Sequence, residues 1–313
     1  MPFARRVRYG IEAGAFFSAM GLFKVLGLDL ASAFGGFIGR NVYYRMGVVR
    51  RARENLRAAY PEKADAEIEA IVRAMCDNLG RTISEYPHLD AISTHGRDPR
   101  IKTIETDTPK ASVASGHPVM FISGHFANWE VMAIGAYESG YDAATVFRPP
   151  NNPYVDRWIA KKRMQSGFKE QIAKGPHGMR RIFTNLRRGK IVCFLVDQKT
   201  NEGIGSPFFG RDAMTTPAPA ALALKLDAIL QPVSIRRTKG ARFEVGFPPP
   251  IAFTPSGDQD ADVAGLTAAI NAHIEEQVRK EPSQWLWVHR RWPTARDVEQ
   301  MEQSKRLMTK LAA

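Results

Sequence analysis

The chain has 313 residues, of which 44% are hydrophobic and 24% are charged, as in an ordinary globular protein and unlike a disordered one. Its 44 Lys and Arg outnumber its 32 Asp and Glu, and the net charge of +12 predicts an anionic partner: a lipid surface, a phosphorylated substrate, an acidic protein or nucleic acid. Two cysteines exclude a disulfide framework and favour a reducing compartment, and the seven histidines lack metal-site spacing, so no zinc or iron site is expected.

The N-terminal stretch from residue 9 to residue 39 is rich in Ala, Gly, Phe and Leu, but Glu12, Lys24 and Asp29 interrupt it. Its longest uncharged run, residues 13–23, is 11 residues long, whereas a clean membrane span needs roughly 20. No small-residue cleavage site follows, so a removed signal peptide is not expected. Basic residues flank the stretch on both sides: Arg5, Arg6, Arg8, Arg40, Arg45, Arg50, Arg51 and Arg53.

These features predict a membrane-associating helical segment over residues 1–45, held against an anionic leaflet by its basic flanks. We favour a segment that lies on the membrane over one that spans it. The alternative without a membrane is an ordinary buried helix pair. Residues 46–313 then form the second unit, which we expect to be the catalytic domain.

Residues 46–313 alternate between strand and helix patterns, which predicts an α/β domain with a mixed, largely parallel central sheet flanked by helices. Helical patterns cover residues 50–60 and 64–86 and then recur between the strands, at NWEVMAIGAYES, YVDRWIAKKRMQS and HGMRRIFTNLRRG, after Thr215, and from about residue 260 to residue 280. The predicted strands are IKTIET, PVMFIS, DAATVF, KIVCFLV, AILQPVSIRR and RFEVGFPPPI.

The stretch PVMFISGHFANWE, residues 118–130, places His125 where a buried strand gives way to a helix, with Glu130 five residues later. A carboxylate on one imidazole nitrogen fixes the tautomer and leaves the other nitrogen free to take a proton. No serine or cysteine is obviously partnered, so the proton would come from a substrate hydroxyl that attacks an acyl carbonyl. A purely structural hydrogen bond between the two residues is the alternative.

Polar residues also follow other predicted strands. Arg148 ends DAATVF and precedes the turn that holds Asn152, while Asp197 and Gln198 end KIVCFLV. Open α/β sheets bind ligands at the carboxyl ends of their strands, so these residues are candidates for a site. Thr216 lies at the predicted start of a helix, after a glycine-rich loop, where free amides could receive an anion.

Two basic regions stand out beyond the strand ends. Residues 154–166 and 177–189 form basic helices that either bind phosphate or an acidic carrier, or are simply solvated faces. Near the C-terminus, QWLWVHRRW interleaves Trp285, Trp287, Trp292, His289 and Arg290. Such a segment could stack on nucleic-acid bases or lie at a membrane interface.

Five stretches in this order resemble one family: GHFANWE, FRPPNNPYVDRW, the pair Asp197-Gln198, PFFGRDAMTTP and QWLWVHRRW. Together they resemble the late acyltransferases of lipid A biosynthesis, of the lauroyl/myristoyl type within the lysophospholipid/glycerolipid acyltransferase superfamily, over nearly the whole chain. The block Phe-x-Glu-Gly-Thr-Arg that is usual in acyltransferases of glycerol phosphates is missing, because Glu202-Gly203 continues as Ile-Gly-Ser. That departure points away from a glycerol phosphate acceptor.

The resemblance implies His125 as general base and Glu130 as the residue that orients it. It further implies transfer of a fatty acyl group from acyl carrier protein to a hydroxyl of a lipid A precursor, an anionic glycolipid, at the cytoplasmic face of the inner membrane, with no cofactor, metal or nucleic acid. The substrate-binding residues would be Arg148, Asn152, Asp197, Gln198, Phe209, Thr216 and Arg290.

Two alternatives stay open. One is an acyltransferase of the same mechanism that acts on a phosphatidylinositol mannoside or a lysophospholipid. The other is a non-catalytic basic protein that binds membrane or nucleic acid, which the net charge and the Trp/Arg segment would suit.

Overall fold

The computed structural model describes residues 3–104, 107–200 and 203–293. The helices and strands, in chain order, are α1 (Phe3–Asn41), α2 (Arg50–Ala59), α3 (Asp65–Glu85), β1 (Ile101–Ile104), α4 (Asp107–Ala114), β2 (Val119–Ser123), α5 (Val131–Glu138), β3 (Ala143–Phe147), α6 (Pro153–Gln165), β4 (Glu170–Ala173), α7 (Pro176–Arg187), β5 (Ile191–Leu195), β6 (Ile204–Phe208), β7 (Arg211–Thr215), α8 (Ala218–Leu226), β8 (Ile229–Pro232), β9 (Ser234–Lys239), β10 (Arg242–Gly246) and α9 (Gln259–Lys280).

A five-stranded parallel sheet in the order β4-β3-β5-β2-β8 carries the site, so the carboxyl ends of its strands lie at one edge. Every residue of β2 is buried. A second sheet pairs β1 with β10 in parallel and β10 with β9 in antiparallel orientation, and β6 and β7 form a two-stranded hairpin. The predicted mixed, largely parallel α/β architecture is therefore confirmed.

Four features of this architecture were not predicted from the sequence. The short strand β4 has a mostly part-exposed pattern, EQIA, which carries no clear apolar signal. The expected glycine-rich loop is largely the β6–β7 hairpin, which turns at Phe209 and Gly210 with φ of 53° and 66°. The segment AILQPVSIRR is divided between β8 and β9, which belong to different sheets. Helix α4 was not predicted either.

The N-terminal helix α1 packs its second half closely against α3. A Cβ added at Gly39 would lie 2.0 Å from the carbonyl oxygen of Cys76, and one at Gly80 would lie 2.1 Å from that of Gly35. Glycines thus allow the two backbones to touch. The helix bends at Gly27, whose φ of 73° a larger residue rarely adopts.

Most large apolar side chains of α1 are exposed: Phe3, Val7, Ile11, Phe17, Leu22, Val25, Leu30, Phe34 and Phe37. Among the described residues, this helical segment is long and apolar enough to cross a membrane by length and composition. The segment also contains Glu12, Lys24 and Asp29, the charges that favour a position on the membrane surface. Lying on the membrane and spanning it both stay predictions, and either would cover this apolar surface.

Candidate active site

The imidazole of His125 and the carboxylate of Asp197 meet because their strands are neighbours. In the β2–β5 pairing Ser123 lies opposite Leu195, so the residues two positions beyond each strand end come together. The Nδ1 atom of His125 lies 2.7 Å from one carboxylate oxygen of Asp197, and the backbone N–H of His125 donates to the other at 2.7 Å.

The loop between β2 and α5 is shaped to allow this contact. A Cβ at Gly124 would lie 3.0 Å from a carboxylate oxygen of Asp197, closer than packed side chains normally approach. Two positions after His125, Ala127 adopts a φ of 47° and is held by hydrogen bonds. Its N–H donates to the carbonyl of Gln284, and its carbonyl accepts from Thr82 at 2.8 Å. The surrounding structure therefore fixes the loop in a strained conformation.

Asp197 is buried, and it accepts a third hydrogen bond, from Nε1 of Trp285 at 2.7 Å. Burial by itself raises the pKa of the Asp197 carboxyl. The charge and hydrogen bonds of His125, with the charge of His289, outweigh burial and hold that pKa well below its ordinary range. Asp197 is therefore a carboxylate at neutral pH, and it can only accept hydrogen bonds.

That constraint assigns the tautomer of His125, because Nδ1 must carry the proton that Asp197 accepts. The Nε2 atom then has a free lone pair. The side-chain amide nitrogen of Gln198 lies 3.1 Å from this Nε2 atom and 3.0 Å from Nε2 of His289. One amide group can donate to both rings, so Gln198 holds the two histidines side by side.

Glu130 does not contact His125 in the expected way. Its buried carboxylate receives two hydrogen bonds from the guanidinium of Arg163, at 2.6 and 2.9 Å, and one from the hydroxyl of Tyr86 at 2.6 Å. Burial raises the pKa of Glu130, but Arg163 and Tyr86 together lower that pKa by more than burial raises it, so the net shift is downward. The carboxylate that orients His125 is thus Asp197, and Glu130 forms a separate buried ion pair.

Glu130 and its partner Arg163 nevertheless line the same space as His125. This space, the His125 cavity, has a volume of about 140 Å³. Arg148 and Gln198 also line it, and its apolar wall consists of Trp129, Met132, Ala133, Val146, Phe147, Phe168 and Leu195. Three of the residues expected at the site on sequence grounds, besides His125 itself, therefore come together here.

A larger opening, the strand-end cleft, adjoins the His125 cavity and has a volume of about 740 Å³. Thr216 lines it, at the start of α8. The two spaces share the wall residues Val146, Arg148, Lys174, Leu195 and Gln198. Burial lowers the pKa of Lys174, which stands just beyond β4. Together the spaces offer an apolar passage with basic groups, of the size that small-molecule sites have.

Three expected binding residues lie elsewhere. Asn152 caps α6 by accepting from the N–H of Tyr154 at 3.1 Å, and it donates to the carbonyl of Tyr9 at 2.9 Å, so it joins α6 to α1. Phe209 is buried at the turn of the β6–β7 hairpin, 4.3 Å from the guanidinium of Arg279. Arg290 faces a different cleft, described below. Structural contacts explain the first two residues without a ligand.

Sequence reasoning noticed Trp285 and His289 but gave neither a role at the site. The only signal was their place in QWLWVHRRW, and their contacts depend on where that segment docks. Asn55 of α2 fixes it by donating to the carbonyls of Trp287 and His289, both at 2.8 Å. Arg163 was taken for one member of a basic helix, although it is mostly buried against Glu130.

The partly buried His289 makes stability depend on pH. Burial, with the charge of His125, lowers the pKa of His289 to about 4, whereas an unfolded chain has a pKa of about 6.5. Between these values the unfolded state binds more protons, so the free energy of unfolding falls as the pH is lowered. The unmodified protein should therefore lose free energy of unfolding between pH 7 and pH 5. Replacing His289 with Asn should make that loss smaller by about 1–2 kcal/mol, allowing for partial exposure of the ring.

Urea denaturation at the two pH values measures this effect, with His95→Asn as the control because His95 is exposed. The lowered pKa values of His88 and His273 contribute equally to all three proteins and therefore cancel. The same pH dependence in His289→Asn as in the unmodified protein would contradict the assignment of a partly buried, neutral His289.

The chain resembles known proteins over most of its length. Residues 1–294 match the family of bacterial lipid A biosynthesis acyltransferases. The chain is 25% identical over 276 residues to the lipid A biosynthesis lauroyltransferase of Escherichia coli K12, which covers 81% of this chain and 86% of the relative. It is 24% identical over 253 residues, 78% of each chain, to the palmitoleoyltransferase of the same organism. The match spans almost the whole sequence, and the chain therefore belongs to the bacterial lipid A biosynthesis acyltransferase family.

Proposed function

We propose that this acyltransferase moves a fatty acyl group from the thioester of an acyl carrier protein to a hydroxyl of a lipid A precursor. The observation that carries the proposal is the pair of His125 and Asp197 at the edge of a cavity lined by apolar and charged side chains, with Nε2 of His125 as the base once the amide of Gln198 is displaced. Relatives of the chain are named as lipid A biosynthesis lauroyl-, myristoyl- and palmitoleoyltransferases, and these names support the reaction class.

Direct transfer fits this cavity better than a covalent acyl-enzyme. Its lining contains one thiol, Cys193, and burial raises the pKa of that thiol to about 12, so it is no nucleophile at neutral pH. The hydroxyl of Thr145 in the lining points to the carbonyl of Glu170 at 3.5 Å. The Nδ1 atom of His125 is held by Asp197, and its Nε2 atom is the proposed base. The attacking oxygen is thus the hydroxyl of the acceptor.

In this mechanism the acceptor hydroxyl displaces the amide of Gln198 from Nε2 of His125. His125 takes the hydroxyl proton as the oxygen attacks the thioester carbonyl, and the Asp197 carboxylate stabilises the imidazolium. The tetrahedral intermediate then collapses, the carbon–sulfur bond breaks, and the departing sulfur takes the proton from Nε2. The products are an ester and a free carrier thiol, and the imidazole is neutral again.

The negative charge on the carbonyl oxygen needs donors in the cavity. Gln198, once displaced from His125, has one amide hydrogen free beside the reacting atoms while the other stays on His289, and Arg148 lines both the His125 cavity and the strand-end cleft. Preorganised donors of this kind typically contribute about 10²–10³-fold to the rate. The exposed apolar side of α1 supports delivery of the acceptor from the membrane.

Mass spectrometry of products formed by the purified protein tests the proposal. The protein is incubated with acyl carrier protein thioesters of several chain lengths and with a lipid A precursor, a lysophospholipid or a phosphatidylinositol mannoside. We expect one added acyl group on the lipid A precursor alone. Transfer only to one of the other two lipids would overturn the proposal that the acceptor is a lipid A precursor. Transfer from acyl-coenzyme A but not from the carrier thioester would overturn the proposal that the donor is acyl carrier protein.

A further inference from the structure

A third opening, here called the arginine cleft, lies beyond His289 from the catalytic base. It has a volume of about 430 Å³ and is lined by four arginines, Arg50, Arg51, Arg211 and Arg290. The single acid in its lining is Glu54, an exposed residue 3.3 Å from Arg50. The cleft therefore carries a clear excess of positive charge. The resemblance implied only that Arg290 binds substrate, and the acyl transfer step gives the other three arginines no role.

Contacts from three parts of the chain build the cleft. Arg51 of α2 donates to the carbonyl of Val288 at 3.2 Å. The guanidinium of Arg211, at the start of β7, lies 5.3 Å from the ring centre of the buried Trp292. The hydrogen bond restrains Arg51 before any ligand binds, and the ring of Trp292 favours one side of the exposed Arg211, so less side-chain entropy is lost on binding.

The arginine cleft is connected to the catalytic base through consecutive residues. The Nε2 atom of His289 lies 3.0 Å from the amide nitrogen of Gln198, which also contacts Nε2 of His125 at 3.1 Å. The next residue, Arg290, lines the cleft. One molecule with an anionic group and a reactive hydroxyl could therefore reach both places.

The surroundings of the cleft indicate which molecule this is. Gly47 and Val48 form part of its wall, and the exposed Val42, Met46 and Val48 extend the apolar surface of α1 up to it. A ligand here would have an anionic head beside lipid-facing surface. Guanidinium groups match phosphate oxygens through paired hydrogen bonds, and an acidic protein would meet the exposed basic helices α6 and α7 more easily than a recessed cleft.

From these observations we infer that the arginine cleft binds a phosphate monoester on the head group of the acceptor glycolipid and so positions its hydroxyl at His125. This inference rests on the proposed function, because it concerns the same acceptor. Arg211 and Arg290 bind the phosphate, and Arg50 and Arg51 add to the positive electrostatic potential of the cleft. His289 and Gln198 connect the cleft to the base.

The test compares the double variant Arg211→Gln/Arg290→Gln with Arg97→Gln/Lys239→Gln, which removes the same charge from exposed positions outside the cleft. Transfer is measured with the phosphorylated lipid A precursor and with the same lipid after phosphatase treatment. In the cleft variant we expect the KM for the phosphorylated acceptor to rise roughly tenfold or more, because each lost contact is a hydrogen bond to a charged group. The control should keep its KM, and with the dephosphorylated lipid the two variants should not differ.

Binding to phosphatidylcholine vesicles that contain the phosphorylated precursor separates this inference from the proposed function, because it needs no turnover. Sedimentation should show weaker binding of the cleft variant than of the control, and equal binding of both to vesicles containing phosphatidylglycerol, a diester. Equal loss in both variants would mean leaflet charge alone and would overturn the inference. So would an unchanged KM, or the same rise with the dephosphorylated lipid.

Discussion

Replacing Asp197 with Asn is expected to lower kcat by roughly 10³–10⁴-fold, because the amide can no longer hold His125 in the reactive tautomer. Asparagine keeps the shape of aspartate, but its NH₂ group can donate to Nδ1. The proton of the ring then moves to Nε2, where the lone pair is needed. The imidazolium formed during transfer also loses the buried charge that stabilises it.

Turnover with the purified lipid A precursor measures this prediction, and thermal unfolding of the variant checks that the protein remains folded. His125→Ala should lose about as much activity, and the double variant should lose little more than either single one, because the two residues act as one unit. Multiplying losses would mean that Asp197 and His125 contribute independently. Nearly normal turnover by Asp197→Asn would remove Asp197 from the mechanism.

The sequence predicted the ends of strands well and the partners across the sheet poorly. His125 and Asp197 could each be found, since each follows a run of buried strand residues. That they contact each other depends on β2 and β5 being neighbours in register, and residue spacing carries no such information. Glu130, only five positions from His125, was the nearer candidate along the chain.

The partners of Glu130 are also distant in the sequence. Its carboxylate accepts hydrogen bonds from Arg163 of α6 and from Tyr86, which follows α3. The pattern of α6 shows only a basic helix, so nothing in the sequence marks Arg163 as the buried member of that group. Likewise, His289 lies at the site because Asn55 holds the C-terminal segment there, and the sequence does not indicate that contact.

These contacts change what a substitution at Glu130 should do. A Glu130 that orients His125, as the resemblance implies, would lose turnover more than stability when replaced. Removing the carboxylate instead leaves the guanidinium of Arg163 buried without its counter-charge, with only 13% of its side chain exposed. Breaking a buried ion pair from one side typically costs about 3–5 kcal/mol. We therefore expect Glu130→Ala to lose about that much of its free energy of unfolding, as measured by urea denaturation.

The matched control is the double variant Glu130→Leu/Arg163→Met, which removes both charges and keeps the site filled. Replacing a buried ion pair by apolar residues of similar volume is often nearly neutral, so the double variant should recover most of the stability that Glu130→Ala loses. Its turnover per folded molecule then shows what the pair contributes to the reaction, since both residues line the His125 cavity. Activity restored together with stability would make the pair a support for the cavity wall. Activity still lost in a stable double variant would mean that the carboxylate or the guanidinium acts on the substrate, and His125 would then share the chemistry with this second pair.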